Sequence, residues 1–306
     1  MNRSEFLFAA IDVLFHPFQN YKRYKNLITQ KNVPYHDADP AQTGDIIYRA
    51  SEQPLPVVLN IHGGGFVKGD KKHRVSISEM YADKGWFVYN INYRLSPKHV
   101  FPAAVEDCVL AANYLAELKD RYNLDLSRFV VTGDSAGAYL SSYLVALASN
   151  PDLHEKIGVP ELKVKPTALL SYCGPYDVIT ALQTKLPFGL THNIAVSYSG
   201  QNFAKDFSDM ESYRYAHEIS PMNFVNADWC PTMLTYAQKD IFCAGQGELL
   251  HQKLSDLGVP VCEAHSTTLI DNHCYHFNFW TKTSKQTMAA AFDFLDKVKN
   301  RVFDQN

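Results

Sequence analysis

No run of apolar residues in this chain is long enough to cross a bilayer, and no block of basic residues stands out. The net charge of −3 carries no sign of a nucleic-acid partner. The short cluster Tyr21-Lys22-Arg23-Tyr24-Lys25 reads as a solvated helix face. There is no C-x-x-C among the six cysteines (108, 173, 230, 243, 262, 274) and no regular spacing, which excludes a disulfide frame and fits reduced thiols in a cytoplasmic protein. No H-E-x-x-H occurs, so no metal ligand set and no cofactor is expected. Repeats and low-complexity stretches are lacking too. The apolar segment Phe6 to Ile11 follows Glu5, is broken by Asp12, and leads to no small-residue cleavage site, so it reads as an amphipathic helix rather than a signal peptide or a membrane span.

What is present is an ordinary globular composition over 306 residues, 46% hydrophobic and 20% charged, enough for one large domain. Residues 1–30 read as helix, 34–44 as loop and 46–48 as an edge strand. Near-continuous apolar runs at 56–61, 86–91, 129–131, 168–172 and 232–236 fit strands buried on both faces. Between and after them come helical patterns at 101–122, 136–148, 246–257 and 285–302, with a short strand at 259–264. This alternation predicts an α/β fold, a mostly parallel central sheet with helices on both faces. Residues 180–225 break the rhythm: they are rich in aromatics and show no strand. With residues 1–40 they are expected to form a helical cap over the C-terminal edge of the sheet in a single domain, 1–306.

Chemistry concentrates at Gly133-Asp134-Ser135-Ala136-Gly137, a G-x-S-x-G turn between strand and helix. Such a turn holds the serine oxygen in the open and aims a helix N-terminus at charge developing there. A serine hydroxyl needs a base, a carboxylate to orient that base, and N–H donors for the oxyanion. His62-Gly63-Gly64-Gly65 follows a buried strand, where an oxyanion loop belongs, and Ala136 follows the serine. A phosphate loop is the rival reading of these glycines, but Asp70 stands where that loop needs lysine. Asp240 lies after a late strand and keeps the order Ser…Asp…His; Asp177 is its rival, and a helix N-cap its bland alternative. The base lies in Asp271-Asn272-His273-Cys274-Tyr275-His276-Phe277, as His273 or His276, with His265 a weaker third.

These motifs, with Asn92-Tyr93-Arg94-Leu95-Ser96-Pro97 and Phe101-Pro102-Ala103-Ala104-Val105-Glu106-Asp107, occur in an order that resembles the hormone-sensitive-lipase-like carboxylesterases of the α/β-hydrolases over residues 62–240. The resemblance implies the α/β-hydrolase fold with a cap, Ser135 as nucleophile, His273 as base, Asp240 as its orienter, and oxyanion N–H groups from Gly63, Gly64 and Ala136. It also implies an ion pair between Arg94 and Asp107 beneath the site. The family usually carries His-Gly-Phe at the base. His273-Cys274-Tyr275 keeps the His-x-aromatic form, whereas His276-Phe277-Asn278 does not. The implied activity is hydrolysis of small acyl esters through an acyl-enzyme. An amidase, deacetylase or lactonase would use the same triad, and a hydrolase-derived binding protein would lack turnover. The expected partner is a small-molecule ester, and a homodimer is compatible with the sequence.

Overall fold

A computed structural model describes residues 2–184 and 186–305. Eight strands form one sheet: β1 (Ile28–Pro34), β2 (Thr43–Tyr48), β3 (Leu55–Ile61), β4 (Phe87–Ile91), β5 (Leu124–Asp134), β6 (Ala168–Tyr172), β7 (Thr232–Ala237) and β8 (Val261–Ser266). Their order is β1-β2-β4-β3-β5-β6-β7-β8. From β4 to β8 every pair is parallel; β1 and β2 are antiparallel additions at one edge. The helices are α1 (Arg3–Gln19), α2 (Val75–Asp83), α3 (Ala103–Tyr122), α4 (Ala136–Ser149), α5 (Leu153–Ile157), α6 (Val178–Leu182), α7 (Leu190–Ser199), α8 (Gln246–Asp256) and α9 (Lys282–Lys299).

The apolar runs are continuous because both sheet faces are covered. In β3, Val57, Leu59 and Ile61 join one core with Val105, Val109 and Ala112 of α3 and Leu140 and Leu144 of α4. Val58 points the other way, into a second core with Ile77 and Met80 of α2 and Met288, Ala291 and Phe294 of α9. β3 pairs with β4 on one side and β5 on the other, so the chain reverses direction across the sheet there. The crevice above the C-terminal ends of such strands is where ligands bind in open α/β sheets.

Three expectations for the N-terminal region change. Residues 46–48 lie in β2, which pairs with both β1 and β4 and so is not the edge. The first helix ends at Gln19 rather than near residue 30, and Ile28–Pro34 pairs with β2 as an edge strand. The polar residues Thr29 to Asn32 carry no apolar alternation because this strand buries almost nothing. The segment 178–224 is helix, 3₁₀ turn and loop, without a strand among its described residues. It meets the N-terminal segment, where Asn2, just before α1, donates from Nδ2 to Ser197 Oγ at 2.9 Å.

Candidate active site

β5 ends at Asp134 and α4 begins at Ala136, leaving Ser135 alone in the turn at φ 54°, ψ −120°. A non-glycine residue there is strained by roughly 1–3 kcal/mol and persists only where its surroundings over-determine it. They do so here. The Ser135 N–H donates to the Tyr172 carbonyl at 2.8 Å. A Cβ at Gly133 would lie 2.5 Å from the Gly137 and Ile61 backbones, and one at Gly137 would fall on the Ile61 carbonyl. The two glycines let α4 press against β3 and β5, and that contact forces the turn.

The glycine loop lies beside it at the end of β3. His62 is buried, its ring stacked on Tyr93 with centroids 4.4 Å apart and its Nδ1 2.7 Å from the Gly63 carbonyl. Burial lowers its pKa to about 4, so it is a neutral prop for the loop. The expected oxyanion role of Gly63 meets a competing contact. Its N–H is directed at Asp134 Oδ1, 3.3 Å away, and is already occupied. The next two glycines face open space instead: Gly64 lines one cavity beside Ser135 and Gly65 lines another. Gly64 sits at φ 130°, where a side chain would be strained and would strike the Lys68 carbonyl.

Asp240 and His273 come together from the ends of β7 and β8. His273 Nδ1 lies 2.8 Å and 2.9 Å from the two Asp240 oxygens. Asp240 Oδ1 also accepts the N–H groups of Phe242 (2.8 Å) and Cys243 (2.9 Å). Burial alone would raise the Asp240 pKa; the His273 charge and these bonds overcome it and hold the group ionised. Burial likewise opposes a charged His273, but Asp240 more than reverses this and raises the imidazole well above its ordinary value. An imidazolium formed at His273 is therefore stabilised. His273 and Ser135 line the same cavity.

The other candidates are placed elsewhere. His276 is fully buried, stacked on Tyr172 with centroids 4.2 Å apart, and neither ring nitrogen has a partner among the described residues. Desolvation lowers its pKa to about 3. Asp177 caps α6, accepting from Thr180 Oγ1 at 2.6 Å. His265 pairs with Glu263 at 3.0 Å. Arg94 and Asp107 do pair: the Arg94 N–H and Nε reach Asp107 at 2.7 Å and 2.9 Å, and Gln42 Nε2 donates to the same carboxylate at 2.7 Å.

Sequence reasoning missed three features. Asp134, a variable position of the pentapeptide, forms a buried two-point pair with Arg74, with Nη2 to Oδ2 at 2.6 Å. Burial opposes its charge, and Arg74 holds its pKa below the ordinary value. Two of the scattered cysteines, 173 and 274, meet at this end of the sheet, next to His276. Finally, Ser135 divides two cavities. An apolar one runs under α6 and α7 past Phe66, Leu182, Ile194 and Tyr198. A second is more polar, with Asp12, Gln19, Arg74 and Asn272 in its wall. Phe8 of α1 lines both. No contiguous sequence signal marks any of these, because each joins elements far apart in the chain.

A family model described as BD-FAE matches residues 45–254. The chain is 29% identical over 248 residues to a putative alpha/beta hydrolase, R526, of Acanthamoeba polyphaga mimivirus, covering 79% of this chain and 67% of that one. It is 34% identical over 148 residues to esterase LipI of Mycobacterium tuberculosis, covering 40% and 46%. The chain thus spans about half to two thirds of these relatives' lengths. Among solved structures, esterase B from Lactobacillus rhamnosis superposes with TM-score 0.80 at 20% identity, over 99% of this chain and 97% of that one. A bacterial heroin esterase does so with TM-score 0.74 at 22% identity, over 95% and 90%. The eight-stranded sheet is therefore the α/β-hydrolase fold. With well over half its residues inside the match, the chain belongs to the BD-FAE family.

Proposed function

We propose that this protein is a serine carboxylesterase that cleaves small acyl esters through an acyl-enzyme. Ser135 Oγ attacks the ester carbonyl while His273 Nε2 takes its proton; Asp240 holds the ring by Nδ1 and stabilises the imidazolium. The N–H groups of Gly64, Gly65 and Ala136 receive the oxyanion, with Gly63 acting one step back by locking the loop to Asp134. The leaving alcohol then takes the proton from His273. Water repeats the sequence on the acyl-enzyme, activated by the same histidine, and frees the acid.

The observation that carries this reading is the strained serine beside a histidine that is bonded through Nδ1 to a buried carboxylate. His276 lacks any such partner among the described residues. Family membership and the esterases among the relatives support the reaction class. Helix α1 and residues 178–224 act as a cap over the site, and the apolar cavity beneath them takes the acyl group while the polar one takes the alcohol. No helix among the described residues is long and apolar enough to cross a membrane. With all six cysteines free, we place the protein in the cytoplasm. The test is hydrolysis of p-nitrophenyl acetate and butyrate by the purified protein. Ser135→Ala should abolish turnover without unfolding the chain, and full activity in that variant would refute the assignment.

A further inference from the structure

Behind the proposed catalytic residues lies a group of side chains that the reaction does not use. Cys173 follows β6, and Cys274 and His276 sit on the turn just after His273. The two sulfurs and a His276 ring nitrogen all lie within 4.8 Å of one another. Both cysteines are free, and both sit at positive φ (53° and 56°) in the turns that bring their sulfurs within 4.8 Å. His276 is the unusual member. It is wholly buried, yet both of its nitrogens lack a partner among the described residues, a condition that costs about 1–3 kcal/mol per unmet group. Packing against Tyr172 explains the ring's place but not its unmet nitrogens.

Two thiols and a neutral imidazole are the donors that a soft or borderline divalent cation selects. Bonds of about 2.3 Å to sulfur and 2.0 Å to nitrogen set ligand separations near 3.5–3.8 Å in a tetrahedral site. The three donors need to close by no more than about an ångström to reach that. Cys274 lines the cavity that also holds Ser135 and His273, which gives a cation an entry path from that side. Binding would release the two thiol protons to solvent, leaving a neutral unit of one dication, two thiolates and one imidazole. The neighbouring carboxylate, Asp134, is already balanced by Arg74, so the cation would add no unpaired charge to the buried region.

We propose that Cys173, Cys274 and His276 form a binding site for a thiophilic divalent cation of the zinc class, and that filling it switches the hydrolase off. The second half of the proposal rests on the esterase reading above. Cys274 is bonded in the chain to His273, and Cys173 Sγ also lies within 4.8 Å of the ligand atoms of His273 and Asp240. Drawing Cys274 toward a cation moves the loop that aims His273. A misplacement of about 1 Å in catalytic geometry costs on the order of 100-fold in rate.

The test uses the full chain, freed of metal and kept reduced. Cd²⁺ is titrated while the ultraviolet thiolate-to-metal charge-transfer band is followed, and Zn²⁺ is titrated against p-nitrophenyl butyrate hydrolysis, with Mg²⁺ as the hard-cation control. The expected result is a band that saturates at one Cd²⁺ per chain, inhibition by Zn²⁺ that a chelator reverses, and no effect of Mg²⁺. Cys173→Ser and Cys274→Ser should each lose the band and weaken Zn²⁺ inhibition at least about tenfold, relative to each variant's own metal-free rate. Cys262→Ser, at the exposed thiol on β8, should change neither. Absence of a saturable band in the unaltered protein overturns the site. Undiminished inhibition of Cys274→Ser overturns it too, because the cation would then sit on Cys173, Asp240 and His273. A chain that binds Cd²⁺ as described but hydrolyses no ester would keep the site and refute the esterase reading instead.

Discussion

At the scale of single residues, what each buried polar group touches decides its role. Asp240 holds His273 by Nδ1 and is itself held by two backbone N–H groups, so a proton arriving at the imidazole meets a prepared counter-charge. His276 lies three positions along the same loop but is enclosed against Tyr172. The expected outcome of His273→Ala is loss of turnover by about 10⁴-fold or more with little change in stability. His276→Ala should instead lower the melting temperature and leave kcat within about an order of magnitude. Steady-state kinetics beside thermal melts separate the two. The Arg74–Asp134 pair belongs to the same scale. Removing one partner strands a buried charge beside the glycine loop, so Arg74→Met should cost about 3–5 kcal/mol in denaturant unfolding. A loss below about 1 kcal/mol would mean that the pair is solvated.

At the scale of elements, close contact between α4 and β3 produces the strained turn. Because a Cβ at Gly137 would fall on the Ile61 carbonyl, Gly137→Ala should push the helix outward and destabilise the fold by about 1–3 kcal/mol, with a larger loss of kcat than of substrate binding. Equal effects on kcat and KM would argue against a strained serine turn. The same contacts explain how much of the chain was legible beforehand. Strands β3 to β7 were readable because burial on both faces demands unbroken apolar runs, as in Val57-Val58-Leu59. β1 was not, since Thr29 to Asn32 pair by backbone alone at an open edge. The serine turn and the glycine loop are contiguous and visible as motifs. The direction of the Gly63 N–H, the meeting of Arg74 with Asp134, and the gathering of Cys173, Cys274 and His276 each depend on loops from different strands. The environments that separate His273 from His276 are equally three-dimensional, which is why position in the sequence leaves the two close together.

At the scale of the whole molecule, the proposed cap is α1 with the described residues of 178–224, set against the C-terminal edge of the sheet. The apolar cavity lies between these layers, so its depth should set the length of acyl chain accepted. Ile194→Trp fills it from α7. The expected effect on kcat/KM across p-nitrophenyl esters is a selective loss on longer acyl chains, about tenfold or more at octanoate, with acetate little changed. A uniform loss across the series would place the acyl group elsewhere, in the cavity lined by Asn272 and Arg74.

The most direct measurement for the central claim is covalent labelling of the intact protein by a fluorophosphonate, read by peptide mass spectrometry beside hydrolysis of p-nitrophenyl butyrate. One label per chain is expected, carried by Ser135, with activity lost in step with labelling and both absent from Ser135→Ala. Esterase activity that persists in fully labelled protein, or a folded chain whose Ser135 takes no label, would contradict it.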